Sequence, residues 1–189
     1  MSHISGAGSM IPVRLPDRFS CMRPILIVLA CMAACGANAD DPSGLSGTYE
    51  YVAERSADVS QAIDKAVEKM NFIKRPIARS RLAKTNTPYR RIRIEHGTGD
   101  VEITYDDRKP LRLPLDGRPV KWTRDDGEVF DVSAKLDGGK LLQTYRAPDG
   151  TRVNSFTKDA GGSLHLEVEV SSPQLPQPVK YQLVYRPGT

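Results

Sequence analysis

From Tyr89 to the end of the chain, apolar and polar residues alternate with a period of two. Ile92 and Ile94 alternate with Arg91, Arg93 and Glu95. Val101, Ile103 and Tyr105 alternate with Glu102 and Thr104, Leu111, Leu113 and Leu115 form a third set, and Val120 with Trp122 a short fourth. Phe130, Val132, Ala134 and Leu136 alternate with Asp131, Ser133 and Lys135; runs at 141–146 and 151–158 follow. Leu164, Leu166, Val168 and Val170, then Val179, Tyr181, Leu183 and Tyr185, complete the series. Successive side chains of a strand point to opposite faces, so each run predicts a strand with one apolar face. Tight-turn sequences separate the runs: Gly97-Thr98-Gly99-Asp100, Asp116-Gly117, Asp126-Gly127, Asp137-Gly138-Gly139, Asp149-Gly150 and Gly161-Gly162. Such short, regular spacing predicts a meander of hairpins, and a sheet of that size removes its edges by closing.

The period changes near the start. Residues 47–52 read as a first strand, whereas Val59, Ala62, Ile63, Ala66, Val67 and Met70 recur at helical spacing and form one stripe. Ser56 is the expected N-cap, with Asp58 near the positive helix end. Pro76 interrupts the pattern, residues 77–84 predict a second short helix, and Thr85-Asn86-Thr87-Pro88 ends it. The predicted architecture is therefore mainly β: an antiparallel up-and-down barrel of about ten strands with a helical segment inserted after the first strand.

Ahead of this domain lies an apolar run at 25–35, preceded by Arg23 and followed by Ala37-Asn38-Ala39. A basic flank, a short apolar core and a small-x-small site make the pattern of a secretory signal peptide, and the run is too short to span a bilayer. Residues 1–39 are expected to be that leader, with Met22 an alternative start, and 40–189 one domain, periplasmic or secreted. Lipoprotein processing at Cys35 is the alternative. All three cysteines (Cys21, Cys31, Cys35) fall in or before the leader, so the expected mature domain has no disulfide, thiolate nucleophile or cysteine metal site. The leader's three arginines against one aspartate carry half of the formal charge of +4. The small remainder gives no basis for nucleic-acid binding.

The order of elements, the opening Leu45-Ser46-Gly47-Thr48-Tyr49-Glu50, the stretch Leu136-Asp137-Gly138-Gly139-Lys140-Leu141 with the later Asp149-Gly150, and the closing Val184-Tyr185-Arg186 resemble the fatty-acid-binding proteins of the calycin group, which includes the lipocalins. The resemblance implies a ten-stranded barrel with a helix-turn-helix lid and a cavity for a hydrophobic or amphipathic small molecule, such as a lipid. It also implies a carboxylate-binding arginine two residues before the closing tyrosine, and another after the Asp-Gly turn. Leu183 and Thr157 stand at the positions matched to these, so no head-group clamp of that kind is expected.

On the inward faces, Tyr49, Tyr51, Tyr105, Trp122, Tyr181 and Tyr185 are candidate ligand-lining residues, since apolar rings with polar tips suit an amphipathic guest; the same rings would equally fill a packed barrel. Lys74, Arg75, Arg79, Arg81, Lys84, Arg90, Arg91 and Arg93 form a basic stretch without an acid. It would suit an anionic membrane surface, or be a solvated face balanced by Asp58, Asp64 and Glu68. His165, Glu167 and Glu169 share one strand face, read as the solvated outer one rather than a metal site. His96, beside a glycine-rich turn, is expected at the surface. Asp106-Asp107 and Asp125-Asp126 fall in turns, where aspartate is common. No nucleophile elbow, phosphate loop or metal motif occurs. The expectation is a binding protein without catalytic residues, metal or cofactor. Its alternative is a structural or interaction module of the cell envelope that has a packed barrel and a basic docking surface.

Overall fold

The computed structural model describes Asp41 and residues 43–188. The expected signal peptide, the Met22 start and Cys35 lie outside the described residues. The chain enters through β1 (Gly47–Tyr51), makes one 3-10 turn (Ala53–Arg55), and forms α1 (Val59–Val67) and α2 (Lys74–Thr85). Nine further strands follow: β2 (Arg91–His96), β3 (Asp100–Tyr105), β4 (Leu111–Pro114), β5 (Val120–Thr123), β6 (Val129–Asp137), β7 (Lys140–Ala147), β8 (Gly150–Lys158), β9 (Leu164–Ser171) and β10 (Val179–Pro187). They make one ten-stranded sheet in the order β4-β3-β2-β1-β10-β9-β8-β7-β6-β5, every described pairing antiparallel.

The sheet curls into a nearly closed barrel. The edge strands β4 and β5 do not form a ladder with each other; both turn to β6. Strand β5 pairs with its first half, from Val129 to Val132. Just beyond β4, Asp116 bridges Lys135 and the Gly117 amide donates to the Ala134 carbonyl at 3.0 Å. The meander depends on turn chemistry. At the β6–β7 hairpin Asp137 pairs with Lys140, and both central residues, Gly138 (φ 55°) and Gly139 (φ 80°), adopt the left-handed backbone of a two-residue turn.

Helix boundaries differ from the sequence expectation in two instructive ways. Asp58, not Ser56, caps α1: its carboxylate accepts from the backbone N–H of Ser60 (2.8 Å) and Gln61 (3.3 Å). Ser56 instead ties the first connection to the barrel, its hydroxyl donating to the Val52 carbonyl (2.7 Å) and accepting from the Val184 amide (2.9 Å). Pro76 does not interrupt a helix but sits in the first turn of α2, where a backbone N–H has no intrahelical acceptor to lose. The α1 stripe is seated as expected: Ile63, Ala66 and Val67 are buried.

Inward side chains stack in rungs set by the register. Across β10, β9, β8, β7 and β6, Leu183, Leu166, Phe156, Leu141 and Leu136 make an apolar rung. Next come Tyr181, Val168, Asn154, Gln143 and Ala134, then Val179, Val170, Arg152, Tyr145 and Val132. At the end of the barrel away from the helices, the lead-in folds inward and buries Leu45 completely. His96 is not at the surface: its side chain is fully buried against that lead-in, Nδ1 lying 3.2 Å from Asp41 Oδ1 and Nε2 3.3 Å from Ser43 Oγ. The lead-in covers the His96 ring while Thr98 and Gly99 of the adjacent turn stay exposed, a long-range contact that local sequence does not reveal.

Candidate ligand-binding interior

The second and third rungs put polar atoms inside an otherwise apolar barrel. Arg152 follows the Asp149-Gly150 turn and, by the alternation of β8, points inward with Asn154 and Phe156, while Thr157 faces outward with its partner His165. The expected absence of an inward arginine on this strand is therefore corrected. The turn closes tightly with Ala147 opposite Gly150, which puts Arg152 in phase with the inward Asn154 and Phe156. Arg152 Nε donates to Asn154 Oδ1 (2.9 Å), and its Nη atoms donate to the Thr85 carbonyl (3.2 Å), Asn86 Oδ1 (3.3 Å) and the Tyr181 hydroxyl (3.5 Å). Among the described residues no carboxylate lies within ion-pair distance of it. Burial works against its charge, but the ring of tyrosine hydroxyls (Tyr181, Tyr89, Tyr105 and Tyr145) outweighs it and holds the guanidinium firmly protonated.

From Arg152 the network runs both ways. Outward, Asn86, the residue that ends α2, is buried; its Oδ1 accepts from the Tyr181 hydroxyl (2.9 Å) and its Nδ2 donates to the Leu82 carbonyl (2.8 Å). Inward, Asn154 Nδ2 donates to Gln143 Oε1 (3.0 Å), which also accepts from the Tyr105 hydroxyl (2.6 Å). Desolvation pushes the hydroxyls of Tyr105, Tyr145, Tyr181 and Tyr185 above the ordinary phenol range, so all four are neutral donors at neutral pH. Polar side chains supplied by α2, β3, β7, β8 and β10 thus converge around one cation.

Of the six aromatic candidates, Tyr105 and Tyr181 belong to this network. Tyr185 is fully buried and stacks on Tyr51 with ring centroids 5.6 Å apart. Trp122 is half-buried and joins Phe130 and Tyr145 in an aromatic cluster, with centroids at 5.8 and 5.6 Å. Tyr49 stands apart, its hydroxyl spent on the Leu45 carbonyl at 2.8 Å. Arg152, Asn86, Asn154, Gln143 and Tyr145 are functional candidates that sequence reasoning passed over. The available signal was polarity in phase with the apolar set: Gln143 two residues from Leu141, and Arg152 and Asn154 in step with Phe156.

The basic stretch lies elsewhere. Lys74, Arg75, Arg79, Arg81 and Lys84 are exposed on α2; Arg90, Arg91 and Arg93 are exposed on and before β2. Arg79 pairs with Asp64, Arg91 with Asp107 and Arg93 with Glu95, while Arg75 donates to the Met70 carbonyl at 3.0 Å. Neither Asp58 nor Glu68 offers its carboxylate to the stretch. Beside these cations Phe72, Ile73 and Ile77 are 79%, 62% and 61% exposed. His165, Glu167 and Glu169 do share the outer face of β9; His165 Nε2 lies 3.0 Å from Asp159.

No family model matches the chain, and no curated protein matches it in sequence. Solved structures do match in fold. Echinococcus granulosus fatty-acid-binding protein 1 aligns with a TM-score of 0.52 at 11% identity, over 77% of this chain and 98% of that one. A Schistosoma mansoni fatty acid binding protein in complex with arachidonic acid aligns at 0.50 and 17%, over 78% and 98%. An abundant heat soluble (SAHS) protein from Ramazzottius varieornatus aligns at 0.53 and 11%, over 77% and 96%. With ten antiparallel strands in a nearly closed barrel and two helices inserted after the first, this chain has the fold of the fatty-acid-binding proteins.

Proposed function

We propose that the chain is an exported, non-enzymatic carrier of an anionic, lipid-like small molecule held inside the barrel. The observation that carries the reading is Arg152: a cation on the inner face of an apolar barrel, beside the Tyr181 hydroxyl, with no acidic partner among the described residues. Desolvating a charge without a counter-charge is costly, and a ligand carboxylate or similar anion would supply it. The binding of fatty acid by fold neighbours supports the same reading. The apolar run at 25–35 with Ala37-Asn38-Ala39 supports export to the periplasm or medium, with lipid anchoring at Cys35 as the other processing route. The test is displacement of a fluorescent fatty acid. Arg152→Gln should weaken binding of the anionic form roughly 10–100-fold, the loss of one charge-assisted hydrogen-bonding partner, and leave the affinity for the corresponding methyl ester nearly unchanged. A mature protein that emerges ligand-free in native mass spectrometry, and takes up none of a panel of envelope lipids, would instead favour the packed interaction module.

A specific observation also favours an anionic membrane as the partner surface. Phe72, Ile73 and Ile77 are exposed among Lys74, Arg81 and Lys84, and an apolar wedge in a cationic rim suits a headgroup layer. Co-sedimentation with phosphatidylglycerol vesicles that declines with salt is the expected result. Equal retention on neutral vesicles would remove the electrostatic part of this reading.

A further inference from the structure

Among the described residues, two buried polar atoms inside the barrel have no hydrogen-bond partner: Gln143 Nε2 and the Tyr185 hydroxyl. Both residues are 0% exposed, and both share the inward face of their strands, Gln143 with Leu141 and Tyr145, Tyr185 with Leu183 and Tyr181. An unpaired buried donor is destabilising by more than an apolar side chain of the same shape, so such groups are rare unless something else satisfies them.

The orientation of the Gln143 amide is not arbitrary. An arginine can only donate, so Arg152 Nε at 2.9 Å must face the oxygen of Asn154. That leaves the Asn154 nitrogen facing Gln143 at 3.0 Å, which in turn fixes the Gln143 oxygen toward Asn154 and Tyr105. The N–H2 end is therefore the one left without a well-formed hydrogen bond, the Tyr145 hydroxyl being its neighbour, and it is a donor that calls for an acceptor oxygen. Along β8, Asn154 is one inward position beyond Arg152, and Gln143 faces Asn154 across the β7–β8 ladder. The free donor thus lies roughly 7 Å further along the barrel from the rung of the cation, toward the apolar rung of Leu141 and Phe156.

We infer that the ligand is an oxygenated amphiphile: an anionic head group at Arg152 and Tyr181, and a second oxygen, as hydroxyl, ketone or ether, within its apolar body, accepting from Gln143 with Tyr185 as a further partner. This rests on the carrier reading and sharpens it. A plain saturated chain would leave the Gln143 donor unsatisfied in a desolvated site, whereas a mid-chain oxygen satisfies it. Sites that hydrogen-bond a substrate oxygen discriminate strongly against the analogue that lacks it.

The experiment compares octadecanoic acid with a positional series of hydroxy- and keto-octadecanoic acids by calorimetry, on the wild-type protein and on Gln143→Leu and Tyr185→Phe. Expected for the wild type is one group of positions bound about tenfold or more tightly than the plain acid. In Gln143→Leu that preference should vanish, so that plain and oxygenated acids bind alike; in Tyr185→Phe, which removes one oxygen and keeps the ring, it should shrink. Equal wild-type affinities for plain and oxygenated acids would overturn the inference and leave the carrier reading standing. So would a preference that both variants retain. Failure of every acid in the series to bind would overturn the carrier reading and the inference together.

Discussion

Asp41 shows how a single residue fastens the far end of the barrel. Its Oδ1 accepts from the backbone N–H (3.1 Å) and hydroxyl (2.8 Å) of Ser43, its Oδ2 from the Ser46 N–H (2.6 Å), and the His96 ring lies against it. Burial alone would raise its pKa, but these hydrogen bonds, led by the Ser46 backbone N–H, together with His96, win and hold the carboxyl well below the usual carboxylate range. A depressed folded-state pKa means that the stabilisation is present above the unfolded value, near 4, and is lost as pH falls toward the folded value. Asp41→Asn should therefore cost about 1 kcal/mol at neutral pH, discounted for partial exposure. Thermal melts followed across pH should show the gap between wild type and variant closing only below about pH 4. A gap that does not vary with pH would mean that the residue acts through shape and not charge.

At the scale of the element, α1 is held by its buried stripe more than by its cap. Ile63 is 2% exposed, belongs to the main core and lies on the face turned to the barrel. Ile63→Ala should cost about 2–4 kcal/mol and lower the melting temperature by roughly 5–15 °C. A helix that merely swings over the opening would instead give an unchanged melting temperature with faster ligand exchange, and a differential melt with a stopped-flow exchange assay separates the two. The contrast with α2 is physical: that helix has no fully buried residue, and it meets the interior through the partly buried Leu82 and through Asn86 at its C-terminal end. It is therefore the helix better suited to moving, and the one that carries the exposed cations and Phe72, Ile73 and Ile77 at its start.

For the whole molecule, the barrel keeps a set of phenols out of water. Tyr49, Tyr105, Tyr145, Tyr181 and Tyr185 all have their hydroxyl pKa raised, chiefly by burial. A raised folded-state pKa favours the neutral, folded form, so this contribution is complete below about pH 10, the ordinary tyrosine value, and is lost as pH rises beyond it. An alkaline titration read by ultraviolet absorbance and circular dichroism together should show these phenolates appearing only as the β-sheet signal disappears. Ionisation of all tyrosines near pH 10 with the sheet intact would mean an interior freely open to solvent.

What the sequence determined by itself follows from local rules. Strand periodicity, turn dipeptides and the helical stripe are short-range signals, and they yielded ten antiparallel strands, the inserted helices and the inward set from Ile92 to Tyr185. What only the tertiary structure decided depends on which distant residues meet. His96 reads as a surface residue until the lead-in covers it, and Ser56 reads as a cap until Val184 is found to use its hydroxyl. Arg152 reads as one more strand arginine; that it faces the interior, among Asn86, Asn154 and Tyr181, follows from the exact register of the β7–β8 hairpin, in which a one-residue slip would turn it to solvent. The candidate site is assembled from residues as far apart in sequence as Asn86 and Tyr181, and the closure of the sheet, which no local pattern encodes, is what brings them together.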